Sequence, residues 1–268
     1  MSRKRAMSSG RARYVRQLGH EDAKDFAIRL GIGQEFNSDP QAKKDITDQN
    51  GFSYSVKSGQ KKWQIFLYSR NRFKDNTEFK ATQFSDLFLR CIDAFPPTFE
   101  EYKNNKKESK LKLQKPIREI SEKLQDKVML EFFLSKAMFN NNEVDFLVVK
   151  DHNDFYIFDS KDVVKTFVNN FSVTTSRARR IGEYDDQKVV FKCFNVNIGE
   201  IEMRTDSKVH YKEVKFWLNK PLTLKLLMEN IPLLDKNDKT KIYLHAKLEE
   251  KDVRKKRRIE ALRHQLKK

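Results

Sequence analysis

Asp48-Gln49-Asn50-Gly51 stands between two short runs of alternating side chains, and this combination restricts the fold more than any other stretch. Asn-Gly tolerates the positive φ that a two-residue hairpin loop demands, so residues 43–57, KKDITDQNGFSYSVK, predict a tight hairpin. On the return strand, alternation separates Phe52, Tyr54 and Val56 from Ser53, Ser55 and Lys57. Asp45 then comes back beside Ser55 and Lys57 near one end of the ribbon. A carboxylate and a lysine held there suit a divalent cation and a water attacking a phosphodiester. The continuation reads as an amphipathic helix over about 61–72 that buries Trp63, Phe66 and Leu67. Gln64 and Tyr68, four apart, would share its other face.

Charge points to the kind of partner. The chain has 268 residues, with 55 Lys and Arg against 38 Asp and Glu and a formal charge of +17. Such an excess attracts polyanions, nucleic acid first, with an anionic membrane surface or an acidic protein as the alternatives. At 38% hydrophobic with 21 Phe, the chain has material for a real core, which excludes a disordered basic protein. Cys91 and Cys193 are its two cysteines. They offer neither a disulfide framework nor a metal cluster and fit a reducing compartment. The five histidines lack metal-ligand spacing, so a zinc site is not expected. No apolar run approaches the roughly 18 residues of a membrane span, and no secretory h-region follows the basic N-terminus. A cytoplasmic protein without membrane association is expected.

The expected organisation is sequential. Residues 1–12 read as a basic flexible arm, 13–115 as an N-terminal core carrying the hairpin, 116–248 as a β-rich half that completes that core and contributes nucleic-acid recognition, and 249–268 as a basic C-terminal helix or tail. Within the core, a helix is predicted over about 20–30, ending before Gly31, and an apolar helix over 84–95 that stops at Pro96-Pro97. The lysine-rich 102–114 reads as a linker, after which Pro116 opens a helical pattern. Strands are predicted at 144–149, 154–159, 188–196 and 199–204, and a late helix at 217–231. The fold class is α/β or α+β, a mixed central sheet flanked by helices.

Two constellations compete for the chemistry. In the favoured one Asp45 is the main ligand for Mg²⁺, a hard cation that prefers carboxylate oxygen. Lys57 orients the attacking water or stabilises charge on the phosphate, Glu21 adds a second carboxylate, and Gln64 positions the backbone. The rival is Asp145 with Asp159-Ser160-Lys161, which Glu143, Glu200 and Glu202 would complete; Asp159 as a helix N-cap explains that motif equally well. Tyr68, Arg177, Arg179, Arg180, Arg204, Lys212, Arg257 and Arg258 are the candidate nucleic-acid contacts, each with a solvated or structural alternative.

The order Glu21, Asp45, Ser55-Val56-Lys57, Gln64-xxx-Tyr68 resembles the PD-(D/E)xK nuclease superfamily, which includes many type II restriction endonucleases. The resemblance covers about residues 20–75. Ser55 stands where the family usually has an acid, and Lys44 where the motif has proline. Glu21, ahead of Glu78, is the replacement that the resemblance suggests, and Gln64 with Tyr68 is similar to the Q-xxx-Y element of the exonuclease branch. The resemblance implies a restriction-endonuclease-like core and Mg²⁺-dependent cleavage of duplex DNA leaving a 5′-phosphate. It further implies a homodimer that cuts both strands and a separate DNA methyltransferase as companion. The alternatives are a noncatalytic nucleic-acid-binding protein, or a repair or recombination nuclease acting on branched or single-stranded DNA.

Overall fold

The structure is a computed structural model that describes residues 9–31, 45–59, 61–141, 143–177, 184–237, 239–243, 257 and 260–264. In chain order its elements are α1 (Ser9–Arg29), β1 (Ile46–Thr47), β2 (Ser53–Lys57), β3 (Lys62–Tyr68), α2 (Arg70–Lys74), α3 (Thr77–Ala81), α4 (Phe84–Asp93), α5 (Phe99–Asn104), α6 (Lys106–Lys123) and α7 (Lys127–Phe139). The second half adds β4 (Phe146–Asp151), β5 (Asp154–Asp159), α8 (Ser160–Asn170), β6 (Ser172–Thr175), β7 (Lys188–Cys193), β8 (Val196–Met203), β9 (Val214–Asn219), α9 (Lys220–Asn230), β10 (Leu233–Lys236) and β11 (Thr240–Tyr243). One mixed sheet has the order β1-β2-β4-β5-β11-β10, and a second has the order β3-β9-β8-β7-β6. The α/β class expected from the sequence is therefore the observed one. Among the described residues, no helix is long and apolar enough to cross a membrane.

The chain forms two units that interleave in sequence instead of following one another. The hairpin unit takes Met7–Trp63, Leu134–Asn169 and Lys220–Lys268; the aromatic unit takes chiefly Gln64–Phe133 and Asn170–Asn219. The expected boundary at 115/116 falls inside α6, which carries Pro116 within it. Residues 102–114, expected as a linker, lie in α5 and α6. Leu113 and Ile117, four apart, are buried there, and a buried apolar stripe outweighs the local lysine content.

In the hairpin unit, the predicted turn forms with a different loop. Gly51 N–H donates to the Asp48 carbonyl at 2.9 Å, and Gly51 alone within the turn takes positive φ, at 78°. That is a three-residue loop ending in a left-handed glycine. Asp48 fastens it: Oδ1 accepts from the backbone N–H of Asn50 and Phe52, both at 2.9 Å, and Oδ2 accepts from the Tyr54 hydroxyl at 2.9 Å. Burial, together with the neighbouring Asp48 charge, drives the Tyr54 hydroxyl pKa well above its ordinary value.

The predicted faces of β2 are the observed ones. Phe52 and Tyr54 join Phe146, Val148, Phe155, Ile157 and Ile242 in a core, with Val56 packed against it. Helix α1 closes this face with Ala23, Phe26 and Ala27, joined by Leu30 just past its end. Phe26 meets Tyr54 edge-on at 5.5 Å and Phe155 at 5.2 Å. Full burial of one such ring is worth about 2–3 kcal/mol. Residues 9–12 of the expected arm belong to α1, and 1–8 lie outside the described residues. The expected tail also takes part in folding, because Leu262 is buried in the same core.

In the aromatic unit, phenylalanines build the core: Phe73 stacks on Phe88 at 4.6 Å, Phe79 on Phe133 at 6.0 Å, and Phe66 meets Phe216 edge-on at 5.7 Å. The helix expected over 61–72 is instead strand β3, followed by short α2. Its aromatic and β-branched run, Trp63 to Phe66, suits a strand beside β9 better than an isolated turn of helix. Likewise Trp217 and Leu218, expected in a helix, lie near the end of strand β9, and the helix begins at Lys220 with Pro221 in its first turn. The strand expected over 188–196 breaks at Phe194-Asn195 into a hairpin.

Asp48→Ala should lower unfolding stability by about 2–4 kcal/mol, because it strands a buried tyrosine hydroxyl and two backbone donors. A urea titration followed by near-ultraviolet circular dichroism measures this, and a loss under about 0.5 kcal/mol would contradict the described network.

Candidate active site

The register puts Ile46 opposite Tyr54, and just ahead of β1 the Asp45 N–H also donates to the Tyr54 carbonyl, at 2.7 Å. Tyr54 and Ile46 point to the α1 side, alternation sends Ser55 and Lys57 to the other face, and the Asp45 carboxylate reaches Ser55 Oγ there. Asp45 Oδ2 accepts from Val56 N–H at 2.6 Å and from Ser55 Oγ at 3.3 Å. Oδ1 has no hydrogen-bond partner among the described residues. Ser55 is 1% exposed, so it braces Asp45 and has no open path to a ligand, whereas Asp45 and Lys57 are half-buried. Asp45 and Ser55 are thus in contact, and Lys57 stands two residues beyond Ser55 on the same face of β2.

Three lysines crowd this end of the sheet, and two are neutralised. Lys57 pairs in register with Val149, one residue from Lys150. Lys150 Nζ contacts Asp22 at 2.7 Å and Asp25 at 3.1 Å. Buried Lys220 donates to the Lys150 carbonyl at 2.6 Å and pairs with Asp151 at 2.8 Å. The hydrogen bond from Lys220 holds the Asp151 carboxyl below its ordinary range despite partial burial. The Lys57 ammonium has neither an ion pair nor a hydrogen bond among the described residues. Nothing in the sequence marked Lys220 as buried; its partners come from a distant strand end.

Glu21 does not join the site. It leaves α1 on the side away from the Ala23–Phe26–Ala27–Leu30 stripe, is exposed, and accepts from Gln17 at 3.0 Å. Helix α1 also covers the opposite face of the sheet from Asp45. Its inward acids are committed: burial pushes the Asp25 carboxyl up, but hydrogen bonds and charge from Arg29 and Lys150 prevail and hold it below its usual range. Gln64 and Tyr68 lie in the part of β3 that belongs to the aromatic unit. On a strand, residues four apart share a face but stand about 13 Å from one another, against about 6 Å on a helix. Tyr68 stacks on Phe66 at 4.4 Å, and its burial raises the hydroxyl pKa against the lowering effect of Arg72. Glu78 lies in α3 of the aromatic unit.

The rival constellation comes apart. Asp145 Oδ2 accepts from Ser53 N–H at 3.0 Å and from Ser53 Oγ at 3.1 Å. Asp159 Oδ1 caps α8, accepting from Lys161 N–H at 3.0 Å and Asp162 N–H at 3.3 Å. Phe146 opposes Asp159 in the ladder, so Asp145 and Asp159 alternate to opposite faces. Both are 1% exposed, too enclosed to meet a phosphate, while Lys161 is exposed. Glu143 is exposed, and Glu200 and Glu202 share Lys188 in the aromatic unit at 2.9 and 2.6 Å.

Of the expected nucleic-acid contacts, Arg177 and Arg257 are exposed. Arg204 is held by Asp206 at 3.0 Å and Lys212 by the Pro96 carbonyl at 3.1 Å. Arg179, Arg180 and Arg258 lie outside the described residues.

Among the described residues, no three His, Cys, Asp or Glu side chains gather to share a metal ion. Mg²⁺ needs no such cage, since one or two carboxylates with waters and substrate phosphate satisfy it. Asp45 Oδ1, a half-buried oxygen donor without a hydrogen-bond partner among the described residues, fits that requirement. Compared with known proteins, the chain matches no family model, and no curated sequence matches it as a relative.

Glu21→Gln should change unfolding stability by less than about 0.5 kcal/mol, whereas Asp159→Ala should lower it by about 1–2 kcal/mol through loss of the α8 cap. Parallel denaturant titrations compare them, and equal losses would contradict the two placements.

Proposed function

We propose that this chain is a metal-dependent DNA endonuclease of the PD-(D/E)xK kind, with site-specific type II restriction as its form. The observation that carries the reading is the corner where the Asp45 carboxylate offers Oδ1 and Lys57, on the same face, has no acid partner among the described residues. The charge of +17 supports a polyanionic substrate, and duplex DNA is the one the resemblance implies.

In this reading Asp45 holds Mg²⁺ through Oδ1, and its other oxygen is pinned by Val56 N–H and Ser55 so that the carboxylate keeps one orientation. A bound magnesium ion supplies Lewis acidity toward a phosphate oxygen and lowers the pKa of a coordinated water. Lys57 Nζ orients the attacking water by hydrogen bonding and offsets charge that grows on the scissile phosphate. Ser55 replaces the family's second acid with a hydroxyl brace, and Glu21 has no part. Cutting both strands at equivalent points calls for a homodimer, and a restriction role calls for a separate DNA methyltransferase and a cytoplasmic setting.

A second reading also has an observation behind it. Asp45 Oδ2 ends the β1–β2 ladder by accepting Val56 N–H, which is a sufficient structural role. The chain would then be a noncatalytic DNA-binding protein.

Incubation with a long unmethylated duplex, with Mg²⁺ or with EDTA, separates the readings on a gel. Discrete bands only with Mg²⁺ are expected; a metal-dependent smear would favour a repair or recombination nuclease, and a mobility shift without cutting would favour the binding protein. Asp45→Asn retains the ladder acceptor and should keep stability and DNA binding while reducing cleavage at least about a thousandfold. Lys57→Ala should reduce cleavage about a hundredfold or more. Cleavage at the parental rate by Asp45→Asn would remove this site assignment.

A further inference from the structure

The β7–β8 hairpin ends in Phe194-Asn195, a two-residue turn closed by the pair Cys193 and Val196. Both turn residues take positive φ, 47° at Phe194 and 64° at Asn195. Two-residue turns of this hand favour glycine, asparagine and aspartate. Asn195 fits, but a bulky aromatic in that conformation is an outlier. Burial does not compensate, because Phe194 is 86% exposed and Val196 52% exposed. A strained aromatic held out into solvent serves neither the local backbone nor the core, which is the pattern expected of a functional position.

The arm below the tip is stiff and bent. The register steps from Phe191 opposite Gly199 to Lys192 opposite Asn197, leaving Ile198 as an extra residue in β8. Such a bulge increases local twist and re-aims the end of the hairpin beyond it. Gly199 is needed there: a Cβ would stand 2.4 Å from Leu218 Cδ2 and 2.7 Å from the Trp217 carbonyl. The bulge is therefore packed tightly on β9, and buried Ile198 anchors it.

The chemistry of the tip selects the occupant. Residues 192–197, KCFNVN, hold one lysine, two asparagines and no carboxylate. Asn197 is tied at 2.8 Å to the Glu200 carboxylate, which Lys188 neutralises at 2.9 Å; Asn195 follows the ring directly in the turn and Lys192 stands two residues before it. Two apolar side chains are far short of the roughly 800 Å² per partner of a stable protein interface. They suit insertion better than flat docking, and a basic chain presents them to a polyanion.

We propose that Phe194 is a wedge that enters duplex DNA between two base pairs, with Asn195 reading an adjacent base edge and Lys192 contacting phosphate. The wedge unstacks one step and kinks the duplex, favouring a flexible pyrimidine–purine step. This rests on the DNA-binding part of the reading above and not on its catalytic part.

The test uses the full chain in EDTA with short duplexes carrying the fluorescent base aminopurine at successive positions. Affinity, its salt dependence and thermal unfolding are measured alongside. The parent should bind and raise the emission at one step. Phe194→Gly, which relieves the backbone, should keep or raise the unfolding temperature and abolish that emission. It should also weaken binding between about fivefold and a hundredfold, the range of one aromatic–base stack, with the salt slope unchanged. Phe194→Trp should retain both properties. If Phe194→Gly binds and unstacks like the parent, the wedge is wrong while DNA binding stands. If the parent binds no duplex, the wedge and the DNA reading fall together.

Discussion

Ser53 and Asp145, 92 residues apart, hold each other by reciprocal bonds. Ser53 N–H and Oγ donate to the Asp145 carboxylate, and Asp145 N–H donates to the Ser53 carbonyl at 3.0 Å. A buried carboxylate is tolerable only when donors satisfy it, so this contact admits one arrangement of the two segments. It fastens β2 in parallel to β4 and sets Ser55 opposite Leu147 and Lys57 opposite Val149. A slip of one residue would turn Tyr54 out of the core and Lys57 into it. The position of Asp45 beside Ser55 depends on that register in turn.

Charge pairing around the same sheet end is a consequence of the clamp. With β4 in place, Lys150 meets Asp22 and Asp25 of α1, and Asp151 meets Lys220 at the start of α9. These acids are consumed by structure, which leaves Asp45 and Lys57 with free functional atoms among the described residues. A structural duty also accounts for the acids of the Asp159-Ser160-Lys161 motif. A helix start requires donors to be capped, and an aspartate just ahead of α8 does that whether or not a lysine stands two residues later.

How much could be read from the chain depended on the range of the interaction concerned. The hairpin and its two faces were legible because period-two alternation and the turn residues act over a short span of neighbouring positions. The type of turn was not, since Asn50 and Gly51 can each take positive φ and the Asp48 carboxylate selects Gly51. Trp63, Phe66 and Leu67 match a helical stripe as well as a strand buried on both sides. Pairing with β9, far along the chain, resolves that ambiguity. The same limit hid the direction of Glu21: its helix was readable, but the face of the sheet on which that helix packs was not. Phe194-Asn195 carried a visible signal, the asparagine inside KVVFKCFNV, and the flanking β-branched residues concealed it.

The sequence by itself determined the charge, the α/β class, the hairpin with its core-facing and outward-facing residues, and hence the approach of Asp45 to Ser55. These arise from composition and from periodicities that neighbouring residues impose on one another. Only the tertiary structure decided the interleaving of the two units, the strand identity of the segment after Lys61, and which acids serve as clamps, caps or ion-pair partners. Each of those outcomes is a contest between local preferences of similar size, settled by burial and hydrogen bonds to residues far away in the chain.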